Sequence, residues 1–239
     1  MLKVSHLTKK FGELVAVNDL SFRVKKGQVY GIAGPNGAGK STIYNLITGY
    51  FPYEGEISLD GVNLSGMPSH KIAQLGISRT FQVPETFPSL TVEESIGVGV
   101  RFGDSNSFDT KRVDAIIDFL DLGEDRHCMS GELNLLGKKK LMIGAALGTH
   151  PRILMLDEPM AGSNSHEIRD LMALIRRINQ EMGVTIIIIE HFMKVLTELT
   201  ERLLIIESGT KMAEGDPVEV TCRPDVIECY LGDAYAESN

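Results

Sequence analysis

One octapeptide limits what this chain can fold into more than any other feature. Gly34-Pro35-Asn36-Gly37-Ala38-Gly39-Lys40-Ser41 fits the pattern G-x-x-x-x-G-K-[ST]. An apolar run of strand character, 28–33, precedes it, and a helical stretch, 40–48, follows and stops at Gly49. Glycines at those positions let main-chain N–H groups curl around a polyphosphate, because side chains there would block its approach. The helix N-terminus adds its partial positive charge to the same nest. Lys40 supplies a cation for terminal phosphates, and the Ser41 hydroxyl is a ligand for Mg²⁺.

A second apolar run, 153–156, ends in Asp157-Glu158-Pro159. It delivers two carboxylates to the carboxyl edge of a sheet, where open α/β folds bind ligands. Asp157 can hold a metal through its water shell, and Glu158 can polarise an attacking water. Taken alone, an acid pair ending a strand reads as a turn or helix cap; downstream of the glycine loop it reads as the other half of a phosphate site. Residues 184–189 include four consecutive isoleucines, which need burial on both faces, so this is a central strand. His191 leaves its end, either as a solvated or structural imidazole or as a donor to a γ-phosphate. Gln82, after Arg79-Thr80-Phe81, enters a loop, and Phe11 beside Gly12 is either core or a stacking surface for a base.

The rest of the chain supplies the frame. Alternation at 2–6 and 20–24 predicts strands, and Asp60-Gly61 closes a hairpin after a strand at 56–59. From 82 to about 130 helix signals dominate, with Thr91 as a cap, Glu93-Glu94 in a first turn, and apolar residues at helical spacing in 111–122. A polar stretch at 103–109 is expected to be a surface loop. Later, strands at 153–156, 184–189 and 203–206 alternate with helices at 165–181 and 192–200. This order predicts a parallel sheet covered on both faces. The expected architecture is α/β, with an N-terminal antiparallel β subdomain and a helical insert at about 83–150, all within a single domain of 1–239.

Charge and cysteine content exclude several classes of function. The 24 basic residues against 32 acidic ones give a formal charge of −8, opposite to the cationic footprint that nucleic-acid binding requires. No apolar run approaches the roughly 20 residues that span a bilayer. The three cysteines, Cys128, Cys222 and Cys229, have neither a metal spacing nor the even number of a disulfide framework. A soluble protein of the reducing cytosol is expected.

Taken together, the loop at 34–42, Gln82 after Ser78-Arg79-Thr80-Phe81, Leu156-Asp157-Glu158-Pro159 and Ile189-Glu190-His191 resemble the nucleotide-binding subunit of an ABC transporter. The order and spacing match from about residue 2 to 215. Ser78 to Gln82, Ala161-Gly162 and the tail from Asp225 to Asp233 look like the branched-chain amino-acid importer branch, a pattern partly shared by urea importers and the lipopolysaccharide-export ATPase. The resemblance implies a P-loop NTPase core that binds ATP and Mg²⁺ and hydrolyses ATP to energise transport. It implies that Gly34, Pro35, Asn36, Gly37, Ala38, Gly39, Lys40, Ser41 and Thr42 hold the phosphates, and that Phe11 stacks on adenine with Val17 beside it. Ser41, Gln82 and Asp157 would serve the metal, Glu158 would be the catalytic base and His191 the switch histidine. Ala161 to Asn164 would communicate between paired subunits. The implied partners are integral membrane permease subunits and a second ATP-binding subunit, at the cytoplasmic face of a membrane.

One motif departs from the family. Counting back from Asp157, the Leu-Ser-Gly-Gly-Gln signature falls on Leu133-Asn134-Leu135-Leu136-Gly137, with leucines in place of both glycines. In the family this segment clasps the γ-phosphate of ATP held by the opposite subunit. Ala145 stands where arginine is usual, and Lys138-Lys139-Lys140 reads as a solvated helix face. The departure predicts a heterodimer whose partner carries an intact signature. A soluble assembly ATPase and a weakly hydrolysing nucleotide-binding scaffold are the alternatives.

Overall fold

The computed structural model describes residues 1–103 and 109–236. The polar stretch expected as a loop at 103–109 therefore falls, apart from its two ends, outside the described residues. In chain order the elements are β1 (Leu2–Phe11), β2 (Leu14–Val24), β3 (Val29–Ala33), α1 (Lys40–Ile47), β4 (Glu54–Leu59), β5 (Val62–Asn63) and α2 (Ser69–Gln74). There follow β6 (Ile77–Arg79), α3 (Val92–Phe102), α4 (Thr110–Phe119), a short 3₁₀ turn (Ser130–Glu132), α5 (Leu135–Gly148), β7 (Ile153–Asp157) and α6 (Ser165–Met182). The chain closes with β8 (Thr185–Ile189), α7 (Met193–Leu199), β9 (Arg202–Glu207), β10 (Thr210–Gly215), α8 (Pro217–Thr221) and α9 (Pro224–Ala236). The described chain forms two compact units, 1–69 together with the chain from 185 onward, and 70–184. Among the described residues no helix is long and apolar enough to cross a membrane.

The first unit holds two sheets. One is antiparallel, in the order β2-β1-β4-β5. In the other, β3 lies between β9 and β8 and parallel to both, and β10 pairs antiparallel with β9. All five residues of β3 and all five of β8 are buried, as a strand of consecutive isoleucines requires. β1 and β2 run well beyond the expected 2–6 and 20–24. Their pairing shifts register between Val4 and Leu7, Leu7 and Lys9, and Lys9 and Lys10. Each shift breaks the two-residue period on which a strand is read from sequence. The hairpin at Asp60-Gly61 forms as expected, with φ of 47° and 85° at the two turn residues.

Aromatic side chains lock this unit around α1. Tyr44 is fully buried and its hydroxyl donates to the Ile187 carbonyl at 2.7 Å, seating α1 against β8. The Phe22 and Tyr30 rings stack at 5.6 Å and tie β2 to β3. The Tyr30 hydroxyl donates to Glu214 at 3.0 Å, and Arg202 and Lys211 hold the same carboxylate at 2.8 and 2.7 Å. Strand β10 escaped the sequence reading because it is an edge strand, and its polar residues lack a buried face on one side.

In the second unit β6 and β7 pair in parallel, Ile77 with Ile153 and Arg79 with Met155. Three residues of β6 are too few for a period to show in sequence. Helices α3, α4 and α5 occupy 92–148, and each starts under a side-chain cap. Thr91 and Glu94 form a reciprocal box on α3, Asp109 caps α4 and Asn134 caps α5. A Cβ on Gly99 of α3 would lie 2.0 Å from the Ala145 carbonyl oxygen of α5, so these two backbones meet where only glycine fits. Arg126 binds Glu93 through two bonds of 2.9 Å and also pairs with Asp114, fastening the start of α3.

Candidate active site

The glycine loop leaves β3 at Ala33 and enters α1 at Lys40. Gly39 is the helix N-cap at φ +102°, and a Cβ on it would lie 2.4 Å from the Ala16 carbonyl oxygen, so both conformation and space demand glycine there. The loop is strapped from behind: Asn18 donates its N–H to the Gly209 carbonyl at 2.9 Å, and Gly209 donates to the Ala38 carbonyl at 3.0 Å. At its crown Asn36 and Gly37 are exposed, and a Cβ on Gly37 meets nothing within 4 Å. Lys40 is only 6% exposed; its ammonium donates to the Gly34 and Pro35 carbonyls at 2.7 and 2.8 Å. Helices α3, α4, α5 and α6 start under side-chain caps, whereas α1 has neither a side-chain cap nor an acid in its first turn. The positive end of α1 therefore stays available to an anion.

Three more residues of this unit bear on the site. Ile32 of β3 pairs with Ile189 of β8, so Gly34 and His191, each two residues further on, leave the same edge of neighbouring parallel strands. His191 is half-buried, and its main-chain N–H donates to the Glu190 carboxylate at 3.2 Å. Phe11 is 41% exposed, lies edge-on to Phe51 at 5.2 Å and carries the Lys9 ammonium 4.9 Å above its ring. Val17 is fully buried within β2.

The acids stand in the second unit. Asp157 ends β7, buried, with one carboxylate oxygen 3.1 Å from Nη2 of Arg79, itself 9% exposed. Arg79 comes from the end of β6, and its guanidinium also lies 4.8 Å over the Phe81 ring. One residue beyond Asp157, Glu158 takes a left-handed φ of +46°, and its carboxylate accepts a 2.5 Å bond from the Gln82 amide nitrogen. Parallel pairing of β6 with β7 brings these side chains together across 76 residues of chain. The arrangement joins a buried, charge-balanced carboxylate to a second carboxylate that the loop amide holds at the strand end. Within this unit Gln82 and Asp157 carry hard oxygen donors, the chemistry Mg²⁺ prefers.

A family model described as ABC transporter matches residues 17–161, more than half of the chain and inclusive of the loop and the acids. The chain belongs to the ABC transporter family. A second model, described as branched-chain amino acid ATP-binding cassette transporter, matches residues 210–236. BraF of Pseudomonas aeruginosa, a high-affinity branched-chain amino acid transport ATP-binding protein, is 38% identical over 251 aligned positions, covering 98% of each chain. LivG of Salmonella typhimurium, described in the same words, is 34% identical over the same span and coverage. A solved ATP-binding cassette of an ABC transporter, in its ADP conformation, superimposes with a TM-score of 0.86 at 29% identity, covering 97% and 98% of the two chains. The protein is thus an ATP-binding, ATP-hydrolysing cassette, and its α/β fold with an additional antiparallel sheet is the one the resemblance implied.

Within the cassette, the segment at the signature position has its own structure. Asn134 is the N-cap of α5 and its side-chain oxygen accepts the Gly137 N–H at 2.8 Å. Leu135 stands exposed beside it and Leu136 is half-buried. The expected solvated face at Lys138-Lys139-Lys140 is corrected for two of the three. Lys139 is 2% exposed and its ammonium donates to the Ala161 carbonyl at 2.5 Å and the Ser163 hydroxyl at 2.7 Å. Lys140 reaches the Leu120 carbonyl at 3.0 Å. A lysine triplet is polar in any sequence reading; which member turns inward depends on the helix phase and on the acceptors waiting there. Arg79 was missed for the same reason, because its partner is remote in sequence.

Proposed function

We propose that this cassette energises the import of branched-chain amino acids or a related small solute, and that it works as one half of an asymmetric pair. The tail match at 210–236 and the names of the most similar relatives support the solute class. In this reading the cassette sits peripherally at the cytoplasmic face, against integral permease subunits.

The loop from Gly34 to Thr42 grips the phosphates with its N–H groups, Lys40 turns from the Gly34 and Pro35 carbonyls to the terminal phosphates, and Phe11 stacks on the base. Ser41, Gln82 and Asp157 would hold Mg²⁺, which neutralises phosphate charge when bound. Glu158 orients and polarises the water that attacks the γ-phosphorus in line with the departing ADP oxygen. Gln82, already bonded to Glu158, reports the state of that carboxylate to the permease-facing loop. His191 donates a hydrogen bond to the γ-phosphate.

The observation that carries the asymmetry is the N-terminus of α5. Asn134 takes the Gly137 N–H for itself, and leucine side chains stand where glycine amides would have to approach a partner's phosphate. Two copies of this chain would each offer the other a deficient lid. A different cassette with an intact signature completes the site built on Lys40, Glu158 and His191, and leaves the weaker site on itself. ATP turnover measured for the purified chain alone and with its co-purifying cassette tests this. Turnover is expected to rise at least about tenfold on adding the partner. Robust, cooperative turnover by the chain alone refutes the asymmetry. Equal single-turnover rates for the unmodified chain and Glu158→Gln would favour the nucleotide-binding scaffold instead.

A further inference from the structure

We infer that Lys139 is a positioning residue for the catalytic carboxylate, holding the 158–164 loop in shape from inside the same chain. This rests on the reading of Glu158 as the base. A buried ammonium is tolerated only where acceptors replace its water, and both acceptors named above, the Ala161 carbonyl and the Ser163 hydroxyl, lie on this one loop. The loop needs such a hold. Glu158 adopts φ +46°, a conformation that a non-glycine residue keeps only when its surroundings impose it.

The bonding runs from the lysine to that residue by way of Ala161. Ala161, whose carbonyl Lys139 binds, donates its own N–H to the Glu158 carbonyl at 3.1 Å. Ser163, whose hydroxyl Lys139 binds, donates its N–H to the Met160 carbonyl at 3.1 Å, and Met160 is fully buried. Beyond them Asn164 is fixed by its capping box with Glu167. The loop is thus anchored at its far end by a helix cap and in its middle by one cation. At its near end the Glu158 carboxylate is held by the Gln82 amide, so the two anchors act on that residue's main chain. On the first turn of the same helix, Leu135 lies against Gly162, with Cδ2 3.4 Å from where a Cβ would stand. The opening turns of α5, which depart from the family signature, therefore grip this chain's own loop.

The test uses the full-length chain and the variants Lys139→Met, Lys139→Arg and Ser163→Ala, with Glu158→Gln as reference. Two readouts are taken: amide hydrogen exchange at 160–163, and single-turnover hydrolysis of Mg-ATP with its binding constant. Lys139→Met is expected to speed exchange in the loop by about tenfold. It should also slow hydrolysis by about 10- to 100-fold, the scale set by a misplacement of about 1 Å, while leaving ATP affinity within about twofold. Lys139→Arg should restore much of both, and Ser163→Ala should lose part of both. Unchanged exchange, or faster exchange with hydrolysis intact, overturns the inference. If Lys139→Met does not fold, Ser163→Ala decides: wild-type values in both readouts overturn it as well. Hydrolysis by Glu158→Gln at the wild-type rate would instead remove the base assignment, and loop exchange would then report on the anchor alone.

Discussion

Arg79→Met, combined with Asp157→Asn, measures what the buried pair at the end of β6 and β7 contributes. The two groups lie 3.1 Å apart and both are less than a tenth exposed. At that separation and an effective dielectric of about 20, their attraction is about 5 kcal/mol. Desolvation of both ions cancels most of this, so the intact pair adds little net stability, yet removing one partner strands the other. Arg79→Met leaves the Asp157 charge buried and is expected to cost about 4 kcal/mol. Asp157→Asn keeps an oxygen for the guanidinium but removes the counter-charge, costing about 2 kcal/mol. The double variant strands no charge and should lose about 3 kcal/mol instead of the roughly 6 that additivity requires, a coupling of about 3 kcal/mol. Loss of the Arg79 stack on Phe81 occurs in both legs and cancels in the cycle. Urea unfolding followed by circular dichroism gives the four free energies, with equal slopes as the check on comparable unfolded states. Additivity within about 0.5 kcal/mol would refute the argument that these charges depend on each other.

Three further outcomes are expected. Lys40→Met should weaken Mg-ATP binding about 100-fold in titration calorimetry, a loss of one or two charge-assisted contacts, and an affinity within about threefold of wild type would remove the phosphate-loop reading. Gly99→Ala places a Cβ 2.0 Å from the Ala145 oxygen and should cost about 2–3 kcal/mol, read as a melting temperature lower by several degrees; an unchanged melting point would mean that α3 and α5 separate freely. The hydrogen bonds from Arg126 hold the Glu93 carboxyl below its ordinary value of 4.5. A depressed folded-state value adds stability that is present above 4.5 and lost as pH falls through the folded value. Wild type should therefore lose stability more steeply with acid than Arg126→Met, the two converging at low pH; parallel urea midpoints from pH 7 to pH 3 would contradict this.

The phosphate loop was legible because its chemistry is local. Gly39, Lys40 and Ser41 are neighbours in the chain, and glycine at those positions answers constraints of backbone conformation and space that hold in any context. The runs ending at Asp157 and at Ile189 were legible for a related reason: consecutive apolar residues admit few fates other than a strand buried on both faces. Capping at Thr91 and the Asp60-Gly61 turn are likewise written within four residues. Only the tertiary structure decided which side chains face one another. Gln82 meets Glu158, and Arg79 meets Asp157, through the register of β6 against β7, and a shift of one residue would have turned each to the opposite face. The burial of Val17, and the choice of Lys139 to enter the interior with acceptors 22 and 24 residues away, follow from strand and helix phase against partners that no local pattern encodes.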